Sequence, residues 1–228
     1  MKNRVLSLIA LLFVLVACGE RENPDQPARI LAMGDSLLAS HSAAKASISY
    51  RVEAYLGEPV IDRSVSGARM INNLPVSSAL GMRISQQFMP GDWDWIILNG
   101  GGNDLWMACG CIACDTRIDR MIAPDGSDGK IADLVSELRS TGARVIYVGY
   151  LRSPGRGSPI EHCRDEGDKL EERIARMAED RDGVYFLSLR DLVPYGDGSY
   201  HAADMIHPSQ KASNAIAAKI AKIISDAS

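Results

Sequence analysis

Short unbroken apolar runs, separated by stretches of helical periodicity, organise the chain from Ala28 onward. Ile30 to Met33 is the first run, and Val60-Ile61, Trp95 to Leu98 (WIIL), Val145 to Val148 (VIYV) and Val184 to Leu187 (VYFL) follow. Runs that are apolar at every position, not at alternate ones, predict strands covered on both faces. Between them, apolar residues recur at intervals of three and four. Ile48, Val52, Tyr55 and Leu56 predict one helix, which Gly57 and Pro59 stop. A second is predicted around Leu80 to Phe88, ending before Pro90-Gly91. Ile131, Leu134, Val135 and Leu138 form an amphipathic face that Gly142 terminates. Leu170, Ile174, Met177 and Ala178 mark another helix, and Ile216, Ile220, Ile223 and Ile224 a last one.

Strands alternating with helices imply a parallel sheet with helices on both faces. Right-handed crossovers leave few topologies. The expected fold is therefore α/β: a flavodoxin-like, three-layer α/β/α domain with a mostly parallel five-stranded sheet, and no internal repeat. The N-terminus lies outside this pattern. Lys2 and Arg4 form a basic head, and Val5 to Ala17 is apolar apart from Ser7. That run is shorter than the roughly 18–20 apolar residues a transmembrane helix needs, and has the anatomy of a signal peptide. Its end, Leu15-Val16-Ala17-Cys18, resembles the lipobox of bacterial lipoproteins. By that resemblance residues 1–17 are removed and Cys18 is lipidated, with Gly19 after it favouring the outer membrane. The expected location is then the bacterial cell envelope, lipid-anchored and facing the periplasm or the exterior. Residues 18–27 are polar, contain Pro24 and Pro27, and read as a tether to a domain over residues 28–228. The tether spans about 30 Å at full extension, which keeps the domain near a bilayer.

Composition narrows the choice of partners. The 228 residues, 46% of them hydrophobic, suffice for one well-cored domain, and a net charge of −4 argues against a nucleic-acid binder. Besides Cys18 there are Cys109, Cys111, Cys114 and Cys163. In an exported chain disulfides are the default, and at least one is expected to join the Cys109–Cys114 loop to the Cys163 loop. The pairing stays open among three connectivities. The tight CGCIAC run with His162 beside Cys163 leaves a zinc site as the rival reading.

In parallel sheets, ligands bind beyond the carboxyl ends of the strands. The residues that follow the predicted strands are Gly34-Asp35-Ser36, then Ser66-Gly67, then Gly101-Gly102-Asn103-Asp104, then GYLRSPGRGSP, and finally a segment with Asp204 and His207. The set suits acyl transfer. A serine hydroxyl needs a base within reach, and His207 titrates near neutrality. Asp204, three residues earlier, is placed to hold the imidazole Nδ1. The N–H groups of Ser36 and Gly67 and the amide of Asn103 offer three oxyanion donors. Ser36 read alone is a helix N-cap, and Asn103 alone a turn residue. Asp35 and Asp104 are expected to shape loops by hydrogen bonding.

These four blocks, in this order, resemble the SGNH (GDSL) hydrolase family over nearly all of the chain from Ala28. The resemblance implies a three-layer α/β/α hydrolase of esters and thioesters that uses no metal and no cofactor. It assigns Ser36 as nucleophile, His207 as base, Asp204 as acid, and Ser36, Gly67 and Asn103 as oxyanion hole. Two features depart from the family pattern: the second block begins Asp62-Arg63-Ser64, and CGCIAC is an insertion after the third. No Gly-x-Ser-x-Gly is present, so the ordinary nucleophile elbow is not supported.

The remaining histidines are His41, expected inside the first helix, His162, expected to line the site, and His201, the rival base near Asp204. Trp106 and Met107 read equally as the wall of an acyl pocket and as loop packing. The expected function is a carboxylesterase or lysophospholipase-like serine ester hydrolase acting on a small-molecule or lipid ester. The alternatives are a carbohydrate O-acetyl esterase and a non-catalytic envelope-binding lipoprotein on the same scaffold.

Overall fold

The computed structural model describes residues 27–155 and 157–227. The expected signal segment, Cys18 and nearly all of the tether lie outside the described residues. Five strands, β1 (Ile30–Met33), β2 (Val60–Asp62), β3 (Trp95–Leu98), β4 (Arg144–Val148) and β5 (Val184–Leu187), form one sheet in the order β2-β1-β3-β4-β5. Every pairing is parallel, with Ile30 opposite both Val60 and Trp95, Trp95 opposite Arg144, and Val145 opposite Val184. The three-layer α/β/α architecture read from the sequence is the one observed.

Strand alternation sorts the core into two layers. Ile30, Ala32, Trp95, Ile97, Ile146 and Val148 pack under α1 (Ser36–Ala39), α2 (Ile48–Leu56) and the C-terminal helix, Gln210–Asp226. Leu31, Met33, Ile96, Leu98, Val145 and Tyr147 face the opposite layer. That layer holds α5 (Asp115–Met121), α6 (Lys130–Ser140) and α7 (Arg164–Glu179). Two short turns, α3 (Pro75–Ser77) and α4 (Gly102–Asp104), lie between β2 and α5, and the C-terminal helix is α8. Full burial of each large aliphatic side chain contributes about 1.5–3 kcal/mol, so the two layers account for most of the folding drive. No helix among the described residues is long and apolar enough to cross a membrane.

Three local expectations are corrected. Leu80 to Phe88 is not one helix: a single wide turn, Ser78–Met82, gives way to a short 3-10 turn, Ile84–Gln87. Gly81 breaks it at φ +87°, and Leu80 is exposed. His41 is not helical, because α1 ends at Ala39 and His41 adopts φ +66°. The VI and VYFL runs do form strands, but β2 and β5 are the sheet edges and are mostly only half-buried.

The strand order reverses between β1 and β3, so the crevice at their carboxyl ends is the topological switch point. Ser36 follows β1 and Asn103 follows β3.

Candidate active site

The turn from β1 into α1 is built around a buried acid. Asp35 is the N-cap of α1, its Oδ1 accepting the Leu37 N–H at 2.9 Å. Its Oδ2 accepts the Tyr150 hydroxyl at 2.5 Å. The Tyr150 oxygen in turn accepts the Gly102 N–H at 2.9 Å, so one phenol links the Ser36 turn to the Asn103 turn. Burial pushes the Asp35 carboxyl up to about 6, against the hydrogen bonds from Tyr150 and Leu37. The same burial drives the Tyr150 hydroxyl well above its ordinary range, which keeps it a donor. Ser36, as first residue of α1, leaves its own N–H without an intrahelical acceptor.

Gln87 holds the peptide just before this turn from both sides. Its Oε1 accepts the Gly34 N–H at 2.7 Å and its Nε2 donates to the Gly34 carbonyl at 2.9 Å. The break at Gly81 places the Gly81 carbonyl where Gln87 Nε2 also donates to it, at 2.8 Å.

Asn103 and Asp104 tie the second loop to the third. Asn103 Nδ2 donates to the Ala68 carbonyl at 3.0 Å, which uses one of its two amide hydrogens and leaves the other. Asp104 is buried and accepts the N–H groups of Met70 at 2.7 Å and Ile71 at 3.0 Å. Arg117 closes the arrangement with a 2.7 Å ion pair to Asp104. Both acids therefore shape loops, as expected from the sequence. Gly101, at φ +102°, supplies the left-handed turn that starts this loop.

The Asp204 to His207 segment is a tight turn. Asp204 Oδ2 meets His207 Nδ1 at 2.6 Å, and Oδ1 accepts the N–H groups of Ile206 and His207 at 3.0 Å each. Burial alone would raise the Asp204 carboxyl, but the bonds from the His207 ring and the two N–H groups outweigh it and bring it down to about 2. Asp204 therefore stays ionised at neutral pH. It fixes His207 with hydrogen on Nδ1 and leaves Nε2 available as acceptor. Two loops brace the turn: Ser158 Oγ donates to the Met205 carbonyl at 2.8 Å, and His41 Nε2 donates to the Pro208 carbonyl at 2.8 Å.

Ser36, Asn103 and His207 line one cleft of about 930 Å³, a volume that includes space open to solvent. No hydrogen bond joins the Ser36 and His207 side chains, a contact that commonly tightens only when substrate binds. Gly67 is not part of the cleft wall; its N–H has no acceptor among the described residues, and its neighbour Ala68 is held against Asn103. His201 is 6% exposed, burial lowers its pKa, and it does not reach the cleft, which removes it as a rival base. His162 and Met107 are exposed and also lie off the wall, whereas Trp106 is part of it.

The four cysteines form two disulfides, Cys109–Cys114 and Cys111–Cys163, with Cα separations of 5.5 Å and 4.8 Å. The second joins the two cleft-flanking loops, as expected. Cys111, His162 and Cys163 bring potential ligand atoms within 4.8 Å of one another, but both sulfurs are bonded to each other and neither is a thiolate.

Sequence reading did not single out Tyr150, Gln87 or Arg117. Tyr150 lies in the segment after β4, on the correct sheet edge, but no spacing marks it. Fold and site together define a three-layer α/β/α hydrolase with its site at the carboxyl edge of a parallel sheet.

The chain belongs to the GDSL-like lipase/acylhydrolase family, whose model it matches over residues 32–215. Solved structures share the fold. A protein of Slackia heliotrinireducens assigned to the SGNH hydrolases has 21% identity and a TM-score of 0.58, over 86% of this chain and 98% of that one. A lipase from a goat rumen metagenome has 16% identity and a TM-score of 0.54, over 85% and 96%. An acetyl xylan esterase from the rumen bacterium Butyrivibrio proteoclasticus has 17% identity and a TM-score of 0.53, over 89% and 64%. No curated protein shows significant sequence similarity to the chain.

Proposed function

We propose that the protein is a carboxylesterase or lysophospholipase-like serine ester hydrolase, with Ser36 as nucleophile, His207 as base and Asp204 as its orienting acid. The observation that carries this reading is the 2.6 Å Asp204–His207 pair on a cleft shared with Ser36 and Asn103. His207 Nε2 takes the Ser36 proton as Oγ attacks the ester carbonyl. The oxyanion is received by the Ser36 N–H and the free amide hydrogen of Asn103, both on the cleft wall; Gly67, off that wall, is assigned as a third donor by the family resemblance alone. Collapse expels the alcohol, protonated by His207, and leaves an acyl-Ser36 ester. Water, deprotonated by the same imidazole, then releases the acid. We further propose that Cys18 carries a lipid anchor holding the domain at the cell envelope, within reach of lipid esters.

The test is hydrolysis of p-nitrophenyl esters by the purified protein beside Ser36→Ala. Turnover that falls by about 10³-fold or more in the variant supports the reading. Activity confined to acetyl esters moves the assignment to the carbohydrate O-acetyl esterase. Activity equal in both proteins, or absent from both on every ester, sinks the mechanism and leaves an envelope-binding protein on a hydrolase scaffold.

A further inference from the structure

One side of the cleft is a single face of α7 and the residue before it. Cys163, Gly167 and Leu170, spaced four and three apart, all line it. Gly167 is the fourth residue of a sixteen-residue helix. Glycine is the poorest helix former after proline, so its presence there needs a reason. The usual reasons do not apply. Its φ is not positive, and a Cβ added to it would meet nothing within 4 Å. Gly126 and Gly129 differ, since a Cβ at either would strike backbone at 2.7 Å. The space at Gly167 is therefore not filled by the chain itself.

Its surroundings indicate what fills it. Leu105, Trp106, Ile160 and Leu170 line the same cleft, with Trp106 38% exposed. The two guanidinium groups nearby are paired: Arg152 with Glu171 at 2.9 Å and Asp168 at 2.6 Å, and Arg164 with Glu161 at 2.6 Å. An apolar slot beside neutralised cations takes a hydrocarbon and not an anion. Its direction follows from the chemistry. The leaving oxygen must lie near His207 to be protonated. The acyl chain must then run the other way, along the segment that begins at Asn103 and continues through Leu105 and Trp106. The Cys111–Cys163 disulfide clamps that segment to the start of α7.

We propose that Gly167 is a specificity-determining residue, which by having no side chain leaves room in the cleft for an acyl chain longer than acetyl. The assignment rests on the ester-hydrolase reading above. The experiment measures kcat/KM for p-nitrophenyl acetate and octanoate with wild type, Gly167→Ala and Gly167→Leu. Gly167→Leu is expected to lower the octanoate value roughly fiftyfold, the loss of about three buried methylenes, while acetate stays within about threefold. Gly167→Ala is expected to raise Tm by about 2 °C and to shorten the preferred chain slightly. An unchanged octanoate-to-acetate ratio in Gly167→Leu overturns the proposal. So does a wild type that cleaves acetate and not octanoate, which leaves ester hydrolysis itself intact. If no ester is cleaved, the enzymatic reading fails separately. Titration of Ser36→Ala protein with octanoate, followed by tryptophan fluorescence, then decides the slot. Saturable binding that Gly167→Leu removes supports it, and absence of binding overturns it.

Discussion

Tyr150→Phe removes one oxygen and two hydrogen bonds. Asp35 Oδ2 loses its 2.5 Å donor, and the Gly102 N–H loses its 2.9 Å acceptor. A hydrogen bond to a charged group is worth about 1.5–3 kcal/mol, and an unsatisfied buried N–H costs about 1–3 kcal/mol. Gly102 is only partly buried, so its share lies at the low end. The expected total is about 3 kcal/mol near pH 8, or roughly 6–12 °C in Tm.

The size of that loss depends on pH in a defined direction. Burial lifts the Asp35 carboxyl from 3.8 to about 6 on folding. The unfolded chain therefore releases this proton first. The contribution of Asp35 favours folding fully below about pH 4 and is lost as pH rises through 6, by roughly 3 kcal/mol in all. Tyr150 bonds the charged form and softens that loss, so removing it raises the folded pKa further. At pH 5 the carboxyl is mostly protonated in both proteins and the charged bond no longer counts. The destabilisation should then shrink to about 1 kcal/mol. The assay is urea unfolding at pH 5 and pH 8 with the disulfides kept oxidised. A loss equal at both pH values, or larger at pH 5, refutes the assignment of charge to Asp35. A loss under about 0.5 kcal/mol at pH 8 refutes the hydrogen bonds themselves. The same variant should lower kcat about tenfold, because Tyr150 bridges the turns that carry Ser36 and Asn103; since Tyr150 also lines the cleft, KM is measured beside kcat.

Removing the two disulfides separately should have unequal effects. Cys111 and Cys163 are 52 residues apart and Cys109 and Cys114 only 5. In the chain-entropy model the Cys111→Ala/Cys163→Ala protein loses about 4 kcal/mol and Cys109→Ala/Cys114→Ala about 2 kcal/mol, measured by urea unfolding. Asp204→Asn should lower kcat by about 10²–10⁴ because the His207 tautomer is no longer fixed. Its stability relative to wild type should change only as pH falls from about 4 towards 2, where the wild-type carboxylate takes up its proton. Thermal unfolding across that range checks it.

The elements read correctly from sequence are those whose periodicity was set by burial. WIIL and VIYV lie at the sheet centre, where both faces are covered, so nearly every position is apolar. The α2 and α7 patterns were legible because Ile48 and Val52, and Leu170, Ile174 and Met177, each mark one buried stripe. The 80–88 segment misled because its apolar positions serve other ends. Leu80 faces solvent, Gly81 turns the chain, and Gln87 is buried as a backbone clamp. Ser36, Asn103, Asp204 and His207 were legible as blocks after strands. Their supports were not, since Tyr150 reaches Asp35 across 115 residues and Gln87 reaches Gly34 across 53. No local spacing encodes a bond of that range.

Those long-range supports answer a problem specific to such a site. The proposed oxyanion hole needs backbone N–H groups left unbonded, and among the described residues those of Ser36 and Gly67 have no acceptor. Loops that keep N–H groups free cannot be held by ladder bonds along the same stretch. Here side-chain oxygens take over. Asp35 holds Leu37, Asp104 holds Met70 and Ile71, Tyr150 holds Gly102, and Gln87 holds Gly34. Two of these four are buried carboxyls whose pKa values burial raises, so each lowers stability near neutral pH. Asp35 and Asp104 thus exchange stability for loop geometry, which is the sense in which strain collects at functional sites. Replacing either by an apolar residue would remove the desolvation cost but release the loops that place Ser36 and Asn103.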